Sequence, residues 1–487
     1  MTPIEVLSVA SEVFPLVKTG GLADVVGALP GALRPLNVNM RVLVPGYRQV
    51  MAAIGKPAVL VEMPNLFGGP ARLLGAKKSG LDLIIVDAPH LFDREGTIYA
   101  APDGGDWGDN WKRFGAFSHL ASQIAHGLID GYRPSIVHAH DWQAGLVPAY
   151  LRFGPQSGVK SVITVHNLAF QGQFPREIFG ELYLPPEANS VNGVEYYGAV
   201  GYLKAGLRCA DAITTVSPTY ASEIRTPEFG MGLEGLLNER AGDVHGILNG
   251  IDLEAWDPGT DTALVEPYRV STVRRRAANK RALRERFGLE QSDAPLFSVV
   301  SRLTWQKGMD ILANVLDPLL EMGAQLCVLG SGEQWIENAF ASAQDRHPGK
   351  VGIVRGYDEA LSHLIQGGAD AILIPSRFEP CGLTQLIGLR YGCVPIVTRT
   401  GGLADTVIDA NDAALQVGAA TGVQISPLNE NTLIEGIRRA VALYRDETVW
   451  AHIQRRGMKS DVGWDQSARR YVALYEKLLG RTISNDS

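Results

Sequence analysis

Ten short runs of aliphatic and β-branched residues set the frame for this chain. "IEVLSVA", "RVLVPG", "LIIVDAP", "SIVHAH" and "SVITVH" recur through the first half, and "LFSVVSR", "AQLCVLG", "VGIVRG", "DAILIPS" and "VPIVT" through the second. Helix-length segments separate them, which is the βαβ rhythm of a parallel sheet. Runs apolar on both faces belong inside a sheet covered by helices on both sides. At 487 residues the chain has room for two such layered domains.

The rhythm stalls over "HGILNGIDLEAWDPGTDTALVEPY", from His245 to Tyr268, where Gly, Pro and Asp cluster. The expected organisation is therefore an α/β chain with one Rossmann-like domain over 1–244 and a second over 245–462. A closing helix is expected over 463–487, where Tyr471, Leu474, Tyr475 and Leu478 fall at helical spacing in "WDQSARRYVALYEKLLG".

A formal net charge of −7 argues against a nucleic-acid binder or an anionic-membrane binder, whose surfaces are normally basic. Cys209, Cys327, Cys381 and Cys393 form neither a disulfide framework nor a paired metal spacing, and a cytoplasmic setting fits them best. "MTPIEVLSVASE" reads as a first strand and not as a leader. No apolar stretch of about 18 residues suggests a membrane span.

One device occurs twice. "KTGGLADVV" begins at Lys18 and "RTGGLADTV" at Arg399, and seven of their nine positions agree. Each follows a strand and opens a helical segment; in the first, Leu22, Val25, Val26 and Leu29 mark a buried stripe. Gly20 and Gly21, like Thr400, Gly401 and Gly402, therefore stand at helix entrances, where unpaired N–H groups attract anions. Lys18 and Arg399 add a cation ahead of each glycine pair. A tight turn with a surface base is the plainer reading of either copy alone. Neither copy contains G-x-G-x-x-G or G-x-x-x-x-G-K-[ST], which disfavours a dinucleotide dehydrogenase and a P-loop enzyme.

Further candidates stand at strand ends. Arg302 and Lys307, in "SRLTWQKG", can converge on a diphosphate, the first by paired hydrogen bonds and the second as a point charge. Glu379, in "RFEPCGLTQL", can accept hydroxyl protons beside a glycine turn. The H-x-H of His138 and His140 lacks a further ligand cluster, so zinc is not expected. Asp103, Asp106 and Asp109 lack the spacing and terminal Glu of a calcium loop.

With these blocks in place the chain resembles the bacterial and plant glycogen and starch synthases, glucosyltransferases built from two Rossmann-like domains facing each other across a cleft (GT-B). "KTGGLADVVGALP", "HAHDWQAGLVPAY", "TVHNLAFQG", "LNGID", "SRLTWQKGMD", "PSRFEPCGLTQLIGLRYG" and "RTGGLADTV" occur in that family's order. The resemblance implies a retaining transfer of glucose from ADP-glucose to the 4-hydroxyl at the non-reducing end of an α-1,4-glucan, glycogen or a maltooligosaccharide. It implies no metal or other cofactor. His166, Asp141, Arg302, Lys307 and Glu379 would be catalytic. Lys18, Gly20, Gly21, Tyr357, Cys381, Gly382, Leu383, Thr400, Gly401 and Gly402 would join Arg302 and Lys307 in holding the donor, with Tyr99 and Asn249 on the sugar or acceptor side. Ile387 stands where related transferases carry a second Glu, so no second acid is assigned to the ribose. The alternatives are a sucrose-type synthase or a nucleotide-sugar epimerase of the same architecture, and an idle carbohydrate-binding protein.

Overall fold

The computed structural model describes residues 2–481. It divides the chain into two compact units, Met1–Asn249 with Trp464–Ser487, and Gly250–Gly463.

In chain order the first unit contains β1 (Ile4–Val9), β2 (Val38–Pro45), β3 (Ala58–Met63), β4 (Ala71–Lys78), β5 (Leu81–Asp87), β6 (Ile136–His140) and β7 (Lys160–Val165). These are followed by β8 (Gln173–Phe174), β9 (Glu195–Tyr196), β10 (Ala199–Gly201), β11 (Ala212–Thr215) and β12 (Val244–Gly246). Nine of them form one sheet in the order β12-β11-β7-β6-β1-β2-β5-β4-β3, and β8, β10 and β9 form a small separate one. From β12 to β5 all pairings are parallel; β4 and β3 extend the edge antiparallel.

β12 pairs with β11 through Val244, His245 and Gly246, so the segment from 245 still belongs to the first sheet and the chain leaves this unit only after Asn249. The helix Asp465–Leu478 returns to the same unit. Its Tyr471, Leu474 and Tyr475 pack with Val25, Leu29 and Leu33 of the helix Gly21–Leu33 and with Ile4, Val6 and Ile136 of the sheet. That helix buries Leu22, Val25, Val26 and Leu29, the stripe its spacing predicts.

The second unit contains β13 (Leu296–Val300), β14 (Gln325–Gly330), β15 (Val351–Arg355), β16 (Ala371–Ile374), β17 (Val394–Thr398) and β18 (Val423–Ile425). They form one parallel sheet in the order β15-β14-β13-β16-β17-β18. Phe297, Val299, Leu326, Val328, Leu373 and Ile396 lie in one core cluster; Leu296, Cys327, Leu329, Ile372 and Val397 lie in another. Alternate residues of each strand thus face different layers, as a sheet buried on both faces requires.

In each sheet the strand order reverses once beside the first strand, between β1 and β6 and between β13 and β16. The loops leaving those strands diverge at their carboxyl ends, which is where such sheets place ligands. Among the described residues no helix is long and apolar enough to cross a membrane.

Candidate active site

Each unit carries a cluster of candidate residues at its own reversal point. In the first, the loop after β1 brings Glu12, only 3% exposed, against the first cassette. Its carboxylate accepts from Thr19 N–H at 2.5 Å, Thr19 Oγ1 at 2.5 Å, Gly20 N–H at 3.3 Å and the Tyr99 hydroxyl at 2.6 Å. The first cassette therefore already holds an anion, and that anion is the protein's own. Lys18 pairs with Asp24 at 2.8 Å at the surface. Tyr99 also contacts Ser11 Oγ at 2.7 Å, and burial beside Glu12 keeps its phenol protonated far above the usual range. A Cβ on Gly20 would meet nothing within 4 Å, so the open side of this turn faces free space.

Asp141 follows β6 with φ 54° and ψ −169°, a backbone region that ordinarily belongs to glycine. Its neighbours hold it there. Asp141 N–H donates to Thr164 O at 2.9 Å, and its carboxylate accepts from His166 N–H at 2.7 Å. Trp142 locks the next turn against Phe114, with ring centroids 5.0 Å apart. Burial outweighs the backbone N–H groups of His166 and Asn167 and pushes the Asp141 carboxyl up to about 7.

His166 stands at the end of β7, half-buried, with its Nε2 3.0 Å from His140 Nδ1. Burial lowers its pKa to about 3, so the ring is neutral at physiological pH. His138 and His140 are fully buried, and each ring nitrogen has a partner: Tyr475 and Thr164 for His138, Ser8 and His166 for His140. Among the described residues no group of three or more His, Cys, Asp or Glu side chains could hold a metal ion. Asp109 is taken by Arg94 in a two-pronged ion pair at 2.6 and 2.5 Å. Asn249 is buried at the end of the unit, with its Oδ1 unpartnered among the described residues.

In the second unit the loops after β13 and β16 are zipped together. Arg377 N–H donates to Gln306 O at 2.9 Å. The Arg377 guanidinium grips both Asp310 oxygens at 2.6 and 2.7 Å, donates to Trp305 O at 2.5 Å and lies 4.3 Å from the Trp305 ring centroid. Gly308, at φ 66°, passes so close that a Cβ would stand 1.9 Å from Pro375 O. This zipper delivers Lys307 Nζ to Glu379 Oε2 at 2.5 Å, and the Ser376 hydroxyl donates to the same oxygen at 2.9 Å. Glu379 is 6% exposed. Arg302 is exposed, and its guanidinium has no partner among the described residues.

The second cassette uses its glycines differently from the first. Gly401, at φ 43°, lies so close to the Glu379 carbonyl that a Cβ would stand 2.0 Å from it, and Gly402 N–H donates to Glu379 O at 3.1 Å. Thr400, Gly401 and Gly402 thus seat the loop carrying Glu379, Cys381 and Gly382. Cys381 is buried, its carbonyl accepting from Gln385 Nε2 at 2.9 Å, and Leu383 caps the helix Thr384–Tyr391. Tyr357 is 66% exposed, with its hydroxyl donating to Glu359 at 3.1 Å.

The structure thus groups Tyr99, Asp141 and His166 with the first cassette, and Lys307, Glu379, Cys381 and Gly382 with the second. Sequence reasoning missed Glu12, Arg377 and Ser376. Glu12 had a signal, a carboxylate between β1 and the glycine pair; Arg377 and Ser376 had only their adjacency to Glu379.

Two family models match the chain, a starch synthase catalytic domain over residues 5–239 and glycosyl transferases group 1 over 281–455. A glycogen synthase of Mesorhizobium japonicum is 57% identical over 481 residues, covering 99% of this chain and 100% of that one. A glycogen synthase of Rhodopseudomonas palustris is 56% identical over 480 residues, with 98% of each chain covered. The solved catalytic domain of starch synthase IV from Arabidopsis thaliana, bound to ADP and acarbose, is 31% identical. It superposes with a TM-score of 0.89 over 99% of this chain and 100% of that one. With relatives this similar over their whole length, the chain belongs to the glycogen synthase family.

Proposed function

We propose that this glucosyltransferase moves glucose from ADP-glucose to the 4-hydroxyl at the non-reducing end of an α-1,4-glucan, releasing ADP with retention at the anomeric carbon. The observation that carries the reading is the Lys307–Glu379 pair at the reversal point of the second sheet, with Arg302, whose guanidinium has no partner among the described residues, on the same loop. A buried carboxylate keeps the ammonium in place before a phosphate arrives. Arg302 and Lys307 then neutralise the diphosphate as the glycosidic bond breaks, a preorganised effect worth roughly 10² to 10³ in rate for an important donor.

Glu379 and the backbone around Cys381 and Gly382 receive sugar hydroxyls, Leu383 and the second cassette support that loop, and Tyr357 offers an exposed ring for the base. In the first unit, His166 and Asp141 meet the transferred glucose and the incoming hydroxyl. Lys18, Gly20 and Gly21 help hold the donor from this side, and Tyr99 and Asn249 line the sugar or acceptor side. A retaining glycosidase needs an acid for a poor leaving group and a second carboxylate as nucleophile. A charge-neutralised diphosphate needs neither, and its departing oxygen can take the acceptor's proton on the same face. The four free cysteines suit a reducing cytoplasm.

The test is incorporation of labelled glucose into glycogen from ADP-glucose, with UDP-glucose in parallel. Incorporation from ADP-glucose with equimolar ADP release is expected. Nucleotide-sugar turnover without polymer growth, or a clear preference for UDP-glucose, would overturn the reading of acceptor or donor respectively.

A further inference from the structure

Two buried histidines, His138 and His140, and four hydroxyls form two relays beneath His166, and the need to satisfy every buried hydroxyl fixes their direction. Ser8 on β1 is fully buried. Its hydroxyl has one partner among the described residues, His140 Nε2 at 3.1 Å, and a buried O–H must donate. Ser8 therefore donates, and His140 Nε2 accepts. A neutral imidazole that accepts at one nitrogen carries its proton on the other. His140 Nδ1–H thus donates to His166 Nε2 at 3.0 Å.

The neighbouring relay begins on the C-terminal helix. The Tyr475 hydroxyl has one partner among the described residues, His138 Nδ1 at 2.8 Å, so it donates and His138 carries its proton on Nε2. His138 Nε2–H donates to Thr164 Oγ1 at 2.5 Å, Thr164 donates to Thr214 Oγ1 at 2.5 Å, and Thr214 Oγ1 donates to Ile163 O at 3.5 Å. Each hydroxyl donates once and no proton is left over. His138 stacks on His140 at 4.4 Å and 23°, which holds the plane of the ring that orients His166.

We infer that Ser8 and His140 are positioning residues that fix His166 as the tautomer protonated on Nδ1, so that His166 presents a hydrogen-bond donor to the transferred sugar. The inference rests on the placement of His166 at the sugar proposed above. Its consequence is chemical. His166 cannot take a proton through Nδ1, and its Nε2 lone pair is occupied by His140. The side chain holds a sugar oxygen and withdraws electron density, and it serves neither as base nor as nucleophile. Burial keeps all three rings neutral, with His138 and His166 lowered to about 3 and His140 held well below its usual range, so no ring changes its donor pattern across physiological pH.

The test separates the tautomer from the activity. Histidine-selective 15N labelling of the whole protein, with the His166 signals assigned by difference against His166→Gln, reads which ring nitrogen carries hydrogen. The expected wild-type pattern is a protonated Nδ1 and an unprotonated Nε2. Ser8→Ala, which removes one atom from a strand interior, should give a mixed or reversed pattern and lower kcat about tenfold with KM for donor little changed, the scale of one buried hydrogen bond. Ser8→Thr restores the hydroxyl and should restore the pattern. An Nε2-protonated wild-type His166, or a Ser8→Ala protein with unchanged tautomer, overturns the relay. A correct tautomer with unaltered kcat in both Ser8→Ala and His166→Gln leaves the relay standing and overturns the placement of His166 at the sugar.

Discussion

Asp141→Asn isolates a charge that the fold holds at a cost. The side chain keeps its shape, and the amide oxygen can still accept from His166 N–H, at 2.7 Å in the native turn. What disappears is a carboxyl whose pKa burial raises from 3.8 to about 7. Because the folded value exceeds the unfolded one, the folded chain binds more protons than the unfolded chain between those two pH values. Stability therefore falls as pH rises through the window. Below about pH 3 the group is largely neutral in both states and costs little. Above pH 7 the full penalty is in force. Each pH unit separating the folded from the unfolded value corresponds to about 1.4 kcal/mol, so the penalty is at most about 4 kcal/mol. Partial exposure of the residue screens some of it, leaving about 2 to 4 kcal/mol.

The measurement is thermal unfolding of both proteins from pH 5 to pH 9. At pH 8 Asp141→Asn should melt about 4 to 10 °C above wild type, by the usual conversion for a unit of this size. The gap should close towards pH 5, since every other titrating group is common to both proteins and cancels in the difference. If ionised Asp141 is the working form, wild-type kcat/KM rises through the same pH region, while the variant is slow throughout. A variant no more stable than wild type at pH 8, or a gap that does not vary with pH, would mean that burial does not penalise this carboxylate.

Lys307→Ala should retain the fold and lose turnover by about 10²-fold or more, read as kcat at saturating ADP-glucose; near-normal kcat/KM removes the phosphate role. Adding Glu379→Gln to it should recover the stability lost by stranding a buried carboxylate, without recovering activity, as a melting curve and a rate assay together show. Arg377→Lys keeps the charge but not the planar fork that holds Asp310 and Trp305 O, so kcat/KM for donor should fall about 10- to 100-fold with bulk secondary structure unchanged by circular dichroism. Gly401→Ala drives a Cβ to 2.0 Å from the Glu379 carbonyl at a positive φ and should cost about 2 to 4 kcal/mol in urea unfolding. Gly20→Ala opens onto free space, so stability should hold within about 1 kcal/mol while activity falls if a ligand lies over that turn.

The strands buried on both faces were legible because each element declared itself locally. "LIIVDAP", "AQLCVLG" and "VPIVT" needed no partner to be recognised, and all ten such runs contain strands of the two sheets. The strands that escaped notice belong to sheet edges or to short pairings. "AVLVEM" and "ARLLGAKK" form the antiparallel edge β3 and β4, where exposure dilutes the apolar signal. "VHG" becomes β12 only because β11 lies beside it, which carries the first unit past the point where turn residues begin to cluster. The helix at residues 465–478 was plain from its spacing, but its destination depended on contacts with Val25, Leu29 and Ile4, which no local pattern encodes.

The doubled cassette shows the same limit at the level of chemistry. Nearly identical residues stand at nearly identical places in two sheets, and each pair of glycines opens a helix. In the first copy a neighbouring carboxylate, Glu12, occupies backbone donors and leaves the outer side of Gly20 open. In the second, the glycines are pressed against the carbonyl of Glu379, and the placement of its carboxylate hangs on their absence of Cβ atoms. What separates the copies is the residue that another segment of the same unit brings over the turn. The paired design therefore divides labour: one cassette is a floor with an open side, and the other a hinge-pin for the loop whose side chain answers Lys307.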